Sequence, residues 1–307
     1  MSVTLVVGAT GVVGSQIVSG LASTGRTERT GHTVRALVRE SSAPAKVAAL
    51  ESAGAEIVPA DLKDPASLAR ACAGVQSLIL TATSTLSRAG GDSIDSVDRR
   101  GNLALIEAAK AAGVEHVVFV SFPRHELSFP LQDAKRAVEA ALIDSGMAYT
   151  ILQPPHFWEI WCSPALGFDI AGGKARIFGS GEGQNSWISL FDVVKAAIAS
   201  IDNPAARNRV LAFGGPEPLS QLDIVRRVSA ALGRELEVER VPAEALRGQL
   251  ATSTDDLERS FAALMLVCGE GRWVFDPAEA RAALGLEPQS IDGFIAGAVA
   301  AARGAGA

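Results

Sequence analysis

The chain has 307 residues, a net charge of −6, 48% hydrophobic and 20% charged residues, a profile that fits one large or two modest globular domains. No apolar run reaches the ~18 residues of a membrane span, and no Lys/Arg cluster marks a nucleic-acid face, so neither a membrane nor a nucleic acid is an expected partner. Cys72, Cys162 and Cys268 and the four histidines are scattered without metal-ligand spacing, which predicts reduced, buried thiols and no metal site.

The start enters a strand-like run, Val3–Val7, without the basic and cleavage regions of a signal peptide, so a cytoplasmic protein is expected. Short runs rich in Val, Ile and Leu follow at Thr33–Val38, Glu56–Val58, Leu78–Thr81, His116–Val120 and Tyr149–Leu152. They alternate with helix-like stretches at Val12–Ser23, Pro44–Ala53, Pro65–Ala71, Ile94–Ala112 and Leu131–Ser145. Gly54, Gly74, Gly113 and Gly146 stand where helix C-termini need glycine, and Pro44 and Pro65 stand near helix starts. Such βα repetition predicts an α/β fold with a doubly wound parallel sheet.

After Gln153 the rhythm changes. The stretch Pro154–Gly183 is rich in Pro, Gly and aromatics and carries a short strand, Ala175–Phe178. Then come a helix at Leu190–Ser200, strands at Arg209–Phe213 and Leu236–Val241, a helix at Ser220–Leu232 and a mainly helical end over 255–302. The expected organisation is a Rossmann domain over 1–154 and a small C-terminal α+β subdomain over 155–307, closely packed, some of whose elements return to the sheet.

The loop Gly8-Ala9-Thr10-Gly11-Val12-Val13-Gly14 leaves the first strand and opens the first helix. Glycines at this turn allow a tight bend, a close approach of backbone to pyrophosphate, and close helix–strand packing. The free N–H groups of the helix start suit phosphate. Where NAD enzymes carry an acid, at the end of the second strand, this chain has Arg39, whose planar fork suits a 2′-phosphate, with Lys46 as a second cation. NADP(H) is therefore the expected cofactor, with Glu40 as the residue that argues for NAD.

With these residues in place, the chain resembles the NmrA-like branch of the atypical short-chain dehydrogenase/reductases. The resemblance is carried by Val7–Gly14, Val38-Arg39, Ala60-Asp61-Leu62, Ala134-Lys135-Arg136 with Val138-Glu139, Tyr149–Pro154, Trp187-Ile188-Ser189 with Asp192-Val193, and Gly214–Ser220. That family includes NADPH-dependent quinone reductases, triphenylmethane reductases, isoflavone-reductase-like enzymes and non-catalytic redox sensors. The resemblance implies that Asp61 and Leu62 lie beside the adenine, that Thr81, Ala82 and Thr83 flank the cofactor, and that Ser121 lies near the nicotinamide. It also implies that the Pro154–Phe157 loop lines the nicotinamide pocket. Asp61 could equally cap the helix that begins at Pro65.

Typical short-chain reductases use Tyr-x-x-x-Lys, in which the phenol donates a proton. Counting back from Lys135 gives Leu131, and the single tyrosine, Tyr149, begins the next strand. The usual proton donor is absent. Lys135 is the candidate for holding ribose or polarising a substrate oxygen, against the reading of a surface lysine. His125 and His156 are conceivable acids, and the aromatic loop with Trp158 and Trp161 suits a flat apolar small molecule or, equally, packs the subdomain. These residues predict an NADPH-dependent reductase of electron-poor acceptors such as quinones or enones. A non-catalytic NADP(H) sensor is the alternative, an epimerase is disfavoured by the missing Tyr, and a homodimer is left open.

Overall fold

A computed structural model of the chain describes residues 2–23, 32–87 and 89–305. Strands β1 (Val3–Val7), β2 (Thr33–Val38), β3 (Glu56–Pro59), β4 (Ser77–Leu80), β5 (His116–Val120) and β6 (Ala148–Gln153) pair in parallel. With Arg209–Ala212 they make a seven-stranded sheet in the order Arg209–Ala212, β6, β5, β4, β1, β2, β3. The chain order reverses between β1 and β4, which places the topological switch point beside the glycine loop.

Alternation along the strands explains why the sheet is covered on both faces. Val6, Ile79, Val118 and Leu152 enter one apolar core, and Leu5, Val7, Leu80, Val117, Phe119 and Ile151 enter the other. Every residue of β4 and β5 is buried, as parallel strands require when helices cover both sides. The expected C-terminal glycines carry the positive φ that ends the preceding helices, 77° at Gly113 and 83° at Gly146 for example. The expected helix at Ile94–Ala112 is two pieces: a π-helix, Ile94–Gly101, runs into an α-helix, Asn102–Ala111.

Beyond residue 154 the chain crosses back to the sheet. The helix Leu190–Ser200 packs on the first helix, Val12–Ser23, and sends Val193, Val194 and Ala197 into the sheet's own core. Arg209–Ala212 then pairs in parallel with β6. The remaining elements form two small sheets. In one, Asn185–Ile188 lies between His156–Phe157 and Pro218–Leu219; in the other, Lys174–Phe178 lies between Glu237–Val241 and Phe168–Asp169. The helix Gln221–Leu232 starts with a Ser220–Asp223 capping box and ends at Gly233 in the left-handed region.

The aromatic loop after β6 departs from the expected substrate role. Trp158 is 3% exposed and His156 only 1%, both inside the C-terminal part. The His156 ring lies 4.7, 5.2 and 5.0 Å from the rings of Trp161, Trp187 and Trp273. The void lined by Trp161, Cys162, Phe178 and Trp187 measures about 10 Å³, room for one water molecule. His156 and Trp158 are therefore placed as packing residues, the burial of large rings having outweighed their supposed exposure at the strand end, while Trp161 is half-buried beside them. All three cysteines are buried and free. Among the described residues, no helix is long and apolar enough to cross a membrane, and no group of three or more His, Cys, Asp or Glu could hold a metal ion.

Burial alone drops the pKa of His156 to about 3. The unfolded chain binds a proton near pH 6.5 that the folded chain refuses, so this residue subtracts stability progressively as pH falls from about 6.5 towards 3. His156→Phe should flatten that part of the stability–pH curve. Urea titrations of both proteins at pH 7 and pH 5 measure it, and an unchanged pH slope would refute the assignment.

Candidate cofactor site at the strand ends

The glycine loop is shaped by backbone contact. A Cβ on Gly14 would lie 2.1 Å from the Gly8 carbonyl oxygen, so the first helix rests directly on the end of β1. Gly8 adopts φ 87°, and a Cβ there would meet Thr81 Oγ1 at 2.6 Å and Ala82 N at 2.8 Å. Thr81 seals the other side, donating from N and Oγ1 to the Val7 carbonyl at 2.9 and 3.1 Å. Gly11 differs: its N–H donates to Gly8 O at 2.9 Å, it is exposed, and a Cβ would approach only that oxygen, at 3.1 Å. The N–H groups of Val12, Val13 and Gly14 open the helix with no carbonyl one turn behind them. This is a cradle of amides with an open face, which fits a pyrophosphate.

Cations gather beside it. Lys46 Nζ donates to the Thr10 carbonyl at 3.1 Å. Arg39, at the end of β2, donates from Nη1 to Asp92 Oδ2 at 2.5 Å, and Lys63 Nζ donates to Asp92 Oδ1 at 2.6 Å. Burial tends to raise the Asp92 carboxyl, but hydrogen bonds from Lys63, Ser87 and Arg39, with the Arg39 charge, hold it at about 2. Asp61 is not the helix cap, because Asp64 Oδ1 takes that role from Ala66 N, leaving Asp61 Oδ1 to accept from Lys63 N at 2.8 Å. Leu62 is buried against Gly101, where a Cβ would stand 2.8 Å from that of Leu62.

The third group lies under the ends of β4 to β6. Lys135 is 5% exposed, which excludes the surface reading; its Nζ donates to Val120 O at 3.3 Å and lies 4.8 Å from the Phe119 ring centroid. Burial pulls its ammonium below the usual lysine range, while the charges of Asp98 and Glu139 oppose that pull. Asp98 is fully buried on the π-helix: Oδ2 accepts from Ser84 N at 2.9 Å and Ser84 Oγ at 2.6 Å, and Oδ1 has no partner among the described residues. Asn102, one turn on, likewise leaves Oδ1 unpaired. The π-helix and the α-helix that continues it bring the two residues to the strand ends, where Asn102 Nδ2 donates to Ala82 O at 3.4 Å. Ser121 Oγ accepts from Arg136 Nη2 at 2.9 Å, and Arg136 also pairs with Glu139 at 3.0 Å. Gln132 holds the His125 loop, accepting from His125 N and donating to His125 O and Leu127 O.

The sheet thus brings Gly8–Gly14, Arg39, Asp61, Thr81–Thr83, Ser121, Lys135 and Pro154 to one edge, the carboxyl ends of the strands. Thr83 is exposed there, Ala82 is buried, and Phe157 is half-buried against the same core as Val13. Leu131, standing in place of a Tyr, is 4% exposed and packs on Phe129 and Ala263. Tyr149 sits four residues before the end of β6, about 13 Å from the site at 3.3 Å per residue. Lys63, Asp92, Asp98 and Asn102 were missed in the sequence. The only signal was that Lys63 directly follows Asp61-Leu62; the others lie in a segment whose helix type the pattern does not reveal.

A doubly wound sheet with a glycine cradle at its switch point defines a Rossmann protein of the dinucleotide-binding type. The chain belongs to the NmrA-like family, which it matches over residues 1–295. It is 30% identical over 242 residues to an NAD(P)H azoreductase of Xenophilus azovorans, covering 78% of this chain and 77% of that protein. It is also 30% identical over 245 residues to the photosystem II assembly factor Ycf39 of Trieres chinensis, covering 78% and 72%. Its fold is that of an NADPH-dependent quinone oxidoreductase of Escherichia coli solved with NADPH, with a TM-score of 0.76 at 22% identity over 96% of this chain and 99% of that one.

The two glycines should fail differently. Gly14→Ala drives a methyl into backbone and should cost about 3 kcal/mol, the upper part of the overpacking range. Gly11→Val should unfold nothing yet abolish cofactor binding, because its bulk stands in the open face. Thermal melts with cofactor titration separate the two; micromolar binding in Gly11→Val, or a native melt for Gly14→Ala, would contradict the cradle.

Proposed function

We propose that this protein is a reductase that takes hydride from NADPH and delivers it to an electron-poor small molecule such as a quinone or an enone. The observation that carries this reading is the side chain at position 131. Hydride addition to a simple ketone leaves an alkoxide that needs a local acid, and here an apolar residue, Leu131, is buried where that acid would stand. Addition to a quinone leaves a phenolate-like anion, which water can protonate. A site without the Tyr therefore suits acceptors that stabilise their own negative charge, and the azoreductase relative supports a substrate of that kind.

The residues divide the work by position. The amides of Val12, Val13 and Gly14 hold the pyrophosphate, and Arg39 with Lys46 binds the 2′-phosphate. Asp61 and Leu62 border the adenine, Thr81, Ala82 and Thr83 wall the centre of the cleft, and Ser121, Pro154 and Phe157 border the nicotinamide end. When bound, NADPH supplies the hydride. Lys135 sets a positive field at the end of β5 and steadies charge that develops on the acceptor. His125, half-buried on a loop fixed by Gln132, is the remaining side-chain acid for acceptors that need one.

A second reading rests on the similarity to Ycf39 proteins: a protein that binds NADP(H) and transmits its presence to a partner without chemistry. Steady-state NADPH consumption against quinones, enones and aliphatic ketones decides between them. The reductase should turn over quinones with little pH dependence near neutrality, and Lys135→Met should slow it by about 10²-fold or less, the low end of acid–base effects. Tight NADPH binding with no acceptor reduced would support the second reading. Efficient ketone reduction would move the acid to His125.

Cofactor choice is tested separately. Arg39→Ala should weaken NADPH by about 1.5–3 kcal/mol, the scale of a charge-assisted hydrogen bond, and leave NADH nearly unchanged by calorimetry. Equal losses for the two cofactors would sink the 2′-phosphate assignment.

A further inference from the structure

The Asp92 carboxylate is used like a bound anion. Its side chain is 3% exposed, and one oxygen takes Arg39 Nη1 at 2.5 Å while the other takes Lys63 Nζ at 2.6 Å. The Ser87 hydroxyl donates to it as well. Two cations from two different strand ends, β2 and β3, and a hydroxyl on one small anion is the donor set that a phosphate monoester would claim. The loop after β4 brings this acid in from 53 residues beyond Arg39 in the chain.

The segment that carries the acid is tied at both ends and held between them mainly by bonds to its own neighbours, Asp92 N donating to Ala89 O at 3.2 Å and Ala89 N to Ser87 Oγ at 3.3 Å. Before it, Ser84 is fixed by its N–H and hydroxyl to the buried Asp98. After it, the Ser93–Ser96 capping box fixes the start of the π-helix, and Ser96 Oγ also donates to Gly91 O at 2.8 Å. Between lie Gly90 and Gly91: a Cβ at Gly90 would meet nothing within 4 Å, and Gly91 has φ 79°. Such a segment can swing without disturbing the core.

We propose that Asp92 is a resident competitor for the 2′-phosphate of the cofactor: its carboxylate occupies Arg39 and Lys63, and NADPH binds by displacing it and freeing the segment 89–92. This rests on the reading of Arg39 as the 2′-phosphate partner, and it adds Lys63 as a third phosphate cation beside Arg39 and Lys46. A phosphate carries more charge and more acceptor oxygens than a carboxylate, so it wins both cations. NADH, with a hydroxyl at that position, leaves Asp92 in place. Asp92 thereby sets how tightly NADPH binds and couples the 2′-phosphate to the conformation of one loop.

The probes are adenosine 2′,5′-bisphosphate and adenosine 5′-monophosphate, titrated into the full-length wild-type, Asp92→Asn, Asp92→Ala and Arg39→Ala proteins. Both Asp92 variants should bind the bisphosphate at least about fivefold more tightly than the wild type, since the competing state is removed. The monophosphate should bind all four proteins alike. Hydrogen exchange of residues 89–92 in the wild type should quicken with the bisphosphate and stay unchanged with the monophosphate. If Arg39→Ala weakens the bisphosphate while Asp92→Asn and Asp92→Ala leave it unchanged or weaken it, Asp92 orients the cations and the competitor proposal is wrong. If Arg39→Ala leaves bisphosphate binding intact, the 2′-phosphate reading itself falls.

Discussion

Everything at this site depends on one contact, the Gly8 carbonyl against the α-carbon of Gly14. Because no side chain separates them, the first helix begins on the end of β1 and its free amides face the cleft. The same closeness pulls Thr81 and Ala82 against Gly8, so the ends of β1 and β4 meet at the switch point. A methyl group at either glycine would push helix and strand apart and misalign every residue that the neighbouring strands present.

Around that rigid centre the protein has placed buried charge, and it has done so unevenly. Arg136, Glu139, Gln153 and Ser121 form a nearly closed set: each carboxylate oxygen of Glu139 has a donor, and Arg136 Nε alone is left unpaired among the described residues. Lys135, Asp98 and Asn102 form an open one, with hydrogen-bonding capacity unused on Asp98 and Asn102. Buried polar groups without partners cost folding free energy, and they are kept here at the carboxyl ends of the strands, where a ligand can complete them. The first set holds geometry, and the second keeps unused hydrogen-bonding capacity at the strand ends.

The sheet was legible because parallel strands buried on both faces must be unbroken apolar runs: β1 and β5 have the bounds that Val3–Val7 and His116–Val120 announce. The places of the glycine loop and Arg39 were legible for a related reason, since each is set by the end of its own strand. The place of Asp92 was not, because its contacts with Arg39 and Lys63 depend on a loop crossing to the ends of two other strands. The π-helix was hidden because an amphipathic segment looks alike whether its turns are wide or narrow. The aromatic loop misled by proximity. His156 leaves the correct end of β6, but the return of Trp187 and Trp273 from later in the chain buries it, and Trp158 meets Phe294 of the last helix.

The strand Arg209–Ala212 has a consequence for how the protein is made. It lies on the outer edge of β6, more than fifty residues after that strand ends. During synthesis, β6 emerges with its apolar residues Ile151 and Leu152 and an open row of backbone donors and acceptors. Such an edge pairs readily with any other chain that offers one. The nascent protein therefore spends the translation of the intervening residues with its sheet unfinished. Closure comes only once Arg209–Ala212 has been made and pairs with β6. The C-terminal part thus also guards the edge of the sheet.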